Sequence, residues 1–160
     1  MLKAPAPRMN YAHLNKHAGK EVGALLTMSE AIANSGLEKE LLELVKIRAS
    51  QINGCSFCLQ MHTTDARKIG VSEERLTLTA AWREAPVYSE RERAALALTE
   101  SVTLIADRHG VSDETYDEAA SVFSEAELAH LISAIVNINA WNRISITYRF
   151  TPQVTVAKAA

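Results

Sequence analysis

Apolar residues recur at helical intervals along nearly the whole chain. Between Tyr11 and Asn34 they fall at Leu14, Ala18, Val22, Leu25, Leu26 and Met28, which predicts one amphipathic helix. Asn34-Ser35-Gly36 breaks it. Leu37 to Ile52 repeats the pattern with Leu41, Leu44, Val45, Ile47 and Ile52, and Asn53-Gly54 signals a stop. A third helix is expected from Cys55 to Ile69, ended by Gly70. Ser72-Glu73-Glu74 opens a short one toward Trp82, and Pro86 marks a connection. Ser89 with Glu92 reads as a capping box before a helix running to about Arg108, where His109-Gly110 ends it. Ser112 opens the next helix. Ser124 with Glu127 forms a second capping box, before a long apolar helix through Trp141. No segment of four or more residues alternates cleanly with period two, although Val154 to Val156 leaves room for a short extended tail. The pattern predicts an all-α bundle of about seven or eight helices in a single domain over residues 1–160. A core at about 20–150 lies between an N-terminal arm, 1–10, and a tail, 151–160.

Composition narrows the function. About half the residues are hydrophobic, enough for a substantial core, and the net charge is −2 with no long run of either sign. Nucleic acid is therefore not expected as a partner, because phosphate binding needs clustered Lys and Arg. No stretch approaches the roughly 20 apolar residues that span a bilayer. The segment Met1 to Asn10 has two prolines and no apolar h-region, so the expected location is the cytoplasm.

Two cysteines are present, three residues apart. A bond between them closes almost no loop and stabilises a fold little, so chemistry is the better reason for having them. The arrangement is Cys55-x-x-Cys58-x-x-x-His62. At about 100° per residue these three positions fall within about 60° on a helix, so one face carries both thiols and the imidazole. Asn53-Gly54 places Cys55 at or near a helix start and Cys58 in the first turn. Free backbone N–H groups there favour the thiolate, the form that attacks peroxide oxygen or disulfide sulfur. One cysteine then becomes a sulfenic acid, and the other condenses with it to a disulfide that an outside reductant must reopen. Glu43, twelve residues before Cys55, reaches the thiol face if the turn at Asn53-Gly54 folds the two helices together. Its apolar neighbours Leu42 and Leu44 predict a pKa raised by burial, toward that of a proton shuttle.

Rival readings weigh on the same residues. The cysteines are also explained as small buried apolar residues. Cys55, Cys58 and His62, completed by Glu43 or a distant histidine, are alternatively zinc ligands in a zinc-stabilised or redox-sensing binding module. Glu43 taken alone fits an ion pair with Lys46. His13, His17 and Glu21 form a stripe that reads as a solvated polar face more readily than as a metal set. Trp141, Asn142 and Arg143 are candidates for a pocket wall or an oligomer seam. A weak echo between Glu40–Val45 and Glu127–Ile132 raises two further readings: a duplicated helix hairpin, and a second histidine, His130, near the site.

Glu43, Cys55-x-x-Cys58 and His62 together resemble the signature of the alkylhydroperoxidase D (AhpD)-like branch of the carboxymuconolactone decarboxylase superfamily. The run Leu44 to Gly54 leading into the cysteines, and Ile138 to Arg143 later, are similar to helices of that family, and the likeness covers about residues 20–150. The resemblance implies an all-helical fold in a ring-like oligomer: trimers, or hexamers built from trimers or dimers. It implies peroxidase activity without a cofactor. Cys58 would become the sulfenic acid, Cys55 would be the proton donor and resolving thiol, and His62 and Glu43 the proton relay. The implied electron donor is a lipoyl-bearing or thioredoxin-like protein. Phe57 departs from the family, whose best-known members carry a second histidine between the cysteines. Other branches, decarboxylases or isomerases, generally lack the dithiol.

Overall fold

The computed structural model describes residues 6–153. Nine α-helices follow one another, with no strand among the described residues: α1 (Tyr11–His17), α2 (Gly19–Ala33), α3 (Lys39–Asn53), α4 (Ser56–Lys68), α5 (Glu73–Leu78), α6 (Glu90–Thr103), α7 (Ile105–Arg108), α8 (Asp113–Val122) and α9 (Glu125–Tyr148). A 3-10 turn, Thr79–Ala81, extends α5.

The all-α expectation holds, and the count rises because two expected helices are each broken once. At Ala18 the backbone turns to φ −131°, separating α1 from α2, and at Leu104 it turns to φ −99°, ψ 23°, separating α6 from α7. Gly19, a poor helix former, follows the first break. Apolar periodicity continues across both breaks, because it records which side is buried and not whether each turn is helical. The last helix also runs past Trp141 to Tyr148. The tail at Val154 to Val156 lies outside the described residues.

Start signals in the sequence work as read. Ser89 and Ser124 each form a full capping box with Glu92 and Glu127, and Ser72 and Ser112 each accept a backbone N–H of the helix they open. At the C-terminal end of α9, the backbone N–H groups of Arg8 and Met9 donate to the Tyr148 carbonyl, so the arm satisfies one of its last carbonyls.

Helix α3 is the centre of the bundle, with seven buried residues, and it packs on α4, α6 and α9. Leu41, Leu42 and Val45 join Leu98, Leu131 and Ile135 in one core, while Leu44 and Ile47 join Ala66, Trp82 and Leu96 in a second. Each such side chain contributes about 1.5–3 kcal/mol on burial. The buried Glu100 of α6 ties these layers together. It accepts from Arg48 of α3, the Trp82 indole and Arg83. Burial pushes its carboxyl up, and the three donors outweigh that and hold it below the usual carboxylate range. A third, smaller cluster contains Ala49, Cys55, Cys58 and Ile138. The dithiol therefore sits where α3, α4 and α9 converge.

The sequence echo does not extend to a hairpin. At the same offset Gly54 aligns with Trp141, which stands inside the uninterrupted α9. The shared pattern covers one helix in each half.

Candidate active site

The turn between α3 and α4 aims the cysteines. Gly54 ends α3 at φ 72°, in the left-handed region, and its N–H and that of Cys55 return to the carbonyls of Gln51 and Ser50. A side chain at this position would meet no neighbouring atom, so backbone conformation and not space is what calls for glycine. Cys55 is then the N-cap residue of α4 itself, and its Sγ accepts the Cys58 N–H at 3.3 Å. Cys58 lies in the first turn, as expected. Both thiols are free, and both residues are about 1% exposed.

The pair is electrostatically unequal. Hydrogen bonding from Cys55 is the largest influence on the Cys58 thiol. Burial opposes it, and Ser145, Asn142 and the nearby His62 reinforce it, bringing the Cys58 pKa down to about 6. The same hydrogen bond, with burial, pushes Cys55 far above the ordinary thiol range. One proton is thus held on Cys55 while Cys58 takes the thiolate form.

Glu43 and His62 meet across the α3–α4 contact, with His62 Nδ1 and Glu43 Oε2 2.9 Å apart. Lys46 Nζ donates to the other carboxylate oxygen at 2.6 Å. This corrects the expected raised pKa of Glu43. Burial does push it up, but the bonds to His62 and Lys46 outweigh burial and hold the carboxyl below its usual value. Glu43 is therefore a fixed acceptor. With Nδ1–H directed at this carboxylate, Nε2 is left as the imidazole nitrogen free to exchange a proton.

A pocket of about 340 Å³ opens beside Cys58 and His62, walled mainly by apolar side chains including Leu26, Met61, Ile138 and Trp141. Its few polar groups include Lys46, Ser29 and Asn137. A second, smaller pocket of about 240 Å³ lies against Cys55 and is bordered by Ser56, Arg149 and Thr151. Phe57, where a second histidine was at issue, packs edge-on against Phe150 with ring centroids 5.6 Å apart. Phe57, Ser145 and Phe150 line both pockets.

Behind the thiols, α9 supplies a buried amide network. Asn53 Nδ2 donates to Asn139 Oδ1 and Asn142 Oδ1, each at 2.9 Å, and Asn142 Nδ2 donates to Ser50 Oγ at 3.1 Å. Arg143 donates to the carbonyl and side-chain oxygen of Asn139, which makes it a support of this network and not a pocket wall. Ser145 is the site residue that sequence reasoning missed. The available signal was polar residues at 139, 142 and 145, spaced by one helical turn within an apolar run. Trp141 lines the pocket, and His130, partly buried on α9, lies outside its lining. His13, His17 and Glu21 are exposed and divided between α1 and α2. Among the described residues no three His, Cys, Asp or Glu side chains are placed to hold a metal ion. No helix among them is long and apolar enough to cross a membrane.

Known proteins resemble the chain in sequence and in fold. The model of the carboxymuconolactone decarboxylase family matches residues 22–101, half of the chain. The uncharacterized protein YdfG of Bacillus subtilis is 43% identical over 122 residues, which are 76% of this chain and 82% of YdfG. The alkyl hydroperoxide reductase AhpD of Hyphomonas neptunium is 44% identical over 45 residues, 28% of this chain and 25% of that protein. In three dimensions, an Agrobacterium tumefaciens protein of unknown function, grouped with AhpD antioxidant defence proteins, superposes with a TM-score of 0.87 at 37% identity. That match covers 94% of this chain and 100% of the other. On sequence and fold together, the chain belongs to the carboxymuconolactone decarboxylase family, in its AhpD-like branch.

Proposed function

We propose that this protein is a thiol-dependent peroxidase that cycles Cys55 and Cys58 between dithiol and disulfide. The observation that carries this reading is the asymmetric thiol pair: a Cys58 held toward the thiolate on the wall of an apolar pocket, next to a His62 oriented by Glu43. The Cys58 thiolate attacks the outer oxygen of a hydroperoxide and the O–O bond breaks. Cys58 becomes a sulfenic acid, and the departing alkoxide takes a proton from His62 and leaves as an alcohol. The sulfur of Cys55 then attacks the Cys58 sulfur. The S–O bond breaks, and the Cys55 proton leaves with the hydroxide as water. A dithiol reductant, on a lipoyl-bearing or thioredoxin-like partner, supplies two electrons and two protons, which restore the Cys58 thiolate, the Cys55 thiol and the proton of His62. A homo-oligomer and a cytoplasmic location complete this reading.

Mass spectrometry of thiol-blocked protein before and after a small dose of organic hydroperoxide tests it. The expected result is a loss of two hydrogens mapped to a Cys55–Cys58 bond and reversed by a dithiol. Two cysteines that stay reduced under the same dose would sink the reading.

A further inference from the structure

The two cysteines face different openings. Cys58 lines the larger apolar pocket and not the smaller one, while Cys55 lines the smaller pocket and not the larger. The partition between them is built from Phe57, Ser145 and Phe150, which touch both. The smaller pocket differs in character. Gly54, Ser56, Arg149 and Thr151 on its border are all exposed, and Arg149, on the first residue after α9, brings a positive charge to it. Among the described residues Arg149 has no ion-pair partner.

We propose that the disulfide is served from two sides: peroxide enters at Cys58 through the apolar pocket, and the reducing thiolate enters at Cys55 through the Arg149 groove. This rests on the peroxidase reading and adds the regiochemistry of its second half. In the first step a thiolate of the reductant bonds to the Cys55 sulfur, the Cys55–Cys58 bond breaks, and Cys58 departs as thiolate. The second thiol of the reductant then attacks its own sulfur in the mixed disulfide. The reductant leaves as a cyclic or paired disulfide, and Cys55 takes up that thiol's proton. Two electrons pass from reductant to protein, and one proton is released when the attacking thiolate forms.

Two physical reasons favour this direction. The positive charge of Arg149 at the groove, unpaired among the described residues, attracts an incoming thiolate, whereas the cation of the larger pocket, Lys46, is already paired with Glu43. The leaving-group rule agrees, since disulfide exchange is faster when the departing sulfur is the more acidic thiol. Of the two, Cys58 is the more acidic by a wide margin. Attack on Cys58 would instead expel the sulfur least able to hold a negative charge.

The test starts from protein oxidised with diamide, so that it does not depend on peroxide turnover. The disulfide form is mixed with excess glutathione, quenched in acid, alkylated, and mapped by mass spectrometry. The expected result is glutathione on Cys55 with the alkyl group on Cys58, in at least tenfold excess over the reverse. In parallel, Ile146→Trp, which fills the groove from an exposed position on α9, is expected to slow re-reduction by a small dithiol at least tenfold. Glutathione found mainly on Cys58, or re-reduction unchanged in Ile146→Trp, overturns the proposal. Neither result would touch the peroxidase reading, which instead fails if peroxide leaves the thiols reduced.

Discussion

Cys58→Ser is expected to abolish peroxide reduction, by about 1000-fold or more, while the protein stays folded. Losses of this size follow when the attacking atom itself is removed, because the supporting groups have nothing left to assist. Serine is close to cysteine in size, so the small cluster around Ala49 and Ile138 keeps its packing. The measurement is hydroperoxide consumption in a dithiol-coupled assay, with circular dichroism as the folding check. A folded Cys58→Ser protein with more than a tenth of the wild-type rate would move the chemistry elsewhere.

Removal of the neighbouring thiol is expected to act through acidity. The largest influence lowering the Cys58 pKa is the hydrogen bond from Cys55, so Cys55→Ala should return Cys58 toward the ordinary thiol range. A thiol at about 6 is ~90% ionised at pH 7, and one at about 8.5 only ~3%. Single-turnover formation of the Cys58 sulfenic acid should therefore fall about 30-fold at pH 7. The sign of the pH dependence is fixed, because the reactive form is the deprotonated one. In wild type the rate is expected to rise as pH increases through about 6 and then to level. In Cys55→Ala the rise moves upward, and much of the rate returns near pH 9. Stopped-flow measurement across pH 5 to 9 checks this, with Cys55→Ser as a control that keeps a hydroxyl at the cap. A midpoint that stays near 6 in Cys55→Ala would show that burial and the α9 donors, not Cys55, set the acidity.

Local chemistry was the most legible part of the chain. Ser89 with Glu92 and Ser124 with Glu127 are complete within four residues, and both form as capping boxes. The cysteine face was legible for the same reason, since Asn53-Gly54 and the i, i+3, i+7 spacing are contained in one turn and one helix. Interruptions at Ala18 and Leu104 were not, because the apolar pattern that marks a buried side runs through them unchanged. Glu43 shows a different limit. Its burial could be inferred from Leu42 and Leu44, but the sign of its shift depends on His62 and Lys46 bonding to opposite oxygens of one carboxylate. The α9 contribution lay furthest out of reach. Asn142 meets Asn53 across 89 positions of sequence, and only the folded bundle places Ser145 beside the Cys58 thiol.

One atom at the start of α4 has two duties. The sulfur of Cys55 closes the first turn of a helix, and on the proposed cycle the same sulfur changes bonding partner at every turnover. Capping of a helix start by a side-chain oxygen is worth about 1 kcal/mol, an upper figure for the weaker sulfur acceptor, and an acceptor drawn into a disulfide gives up part of that. The loss falls on the oxidised form alone, so it raises the midpoint potential of the couple. A full 1 kcal/mol corresponds to about 20 mV for two electrons. The low pKa of Cys58 stabilises the reduced form and works in the same direction. On the proposed cycle, helix architecture becomes a redox parameter: α4 is expected to be best ordered in the reduced form, and the backbone to bias the protein toward that state. Equilibration against a dithiol buffer reads the bias directly. Cys58 N–H exchange that is equally slow in both redox forms would show that the cap survives oxidation and that no such coupling exists.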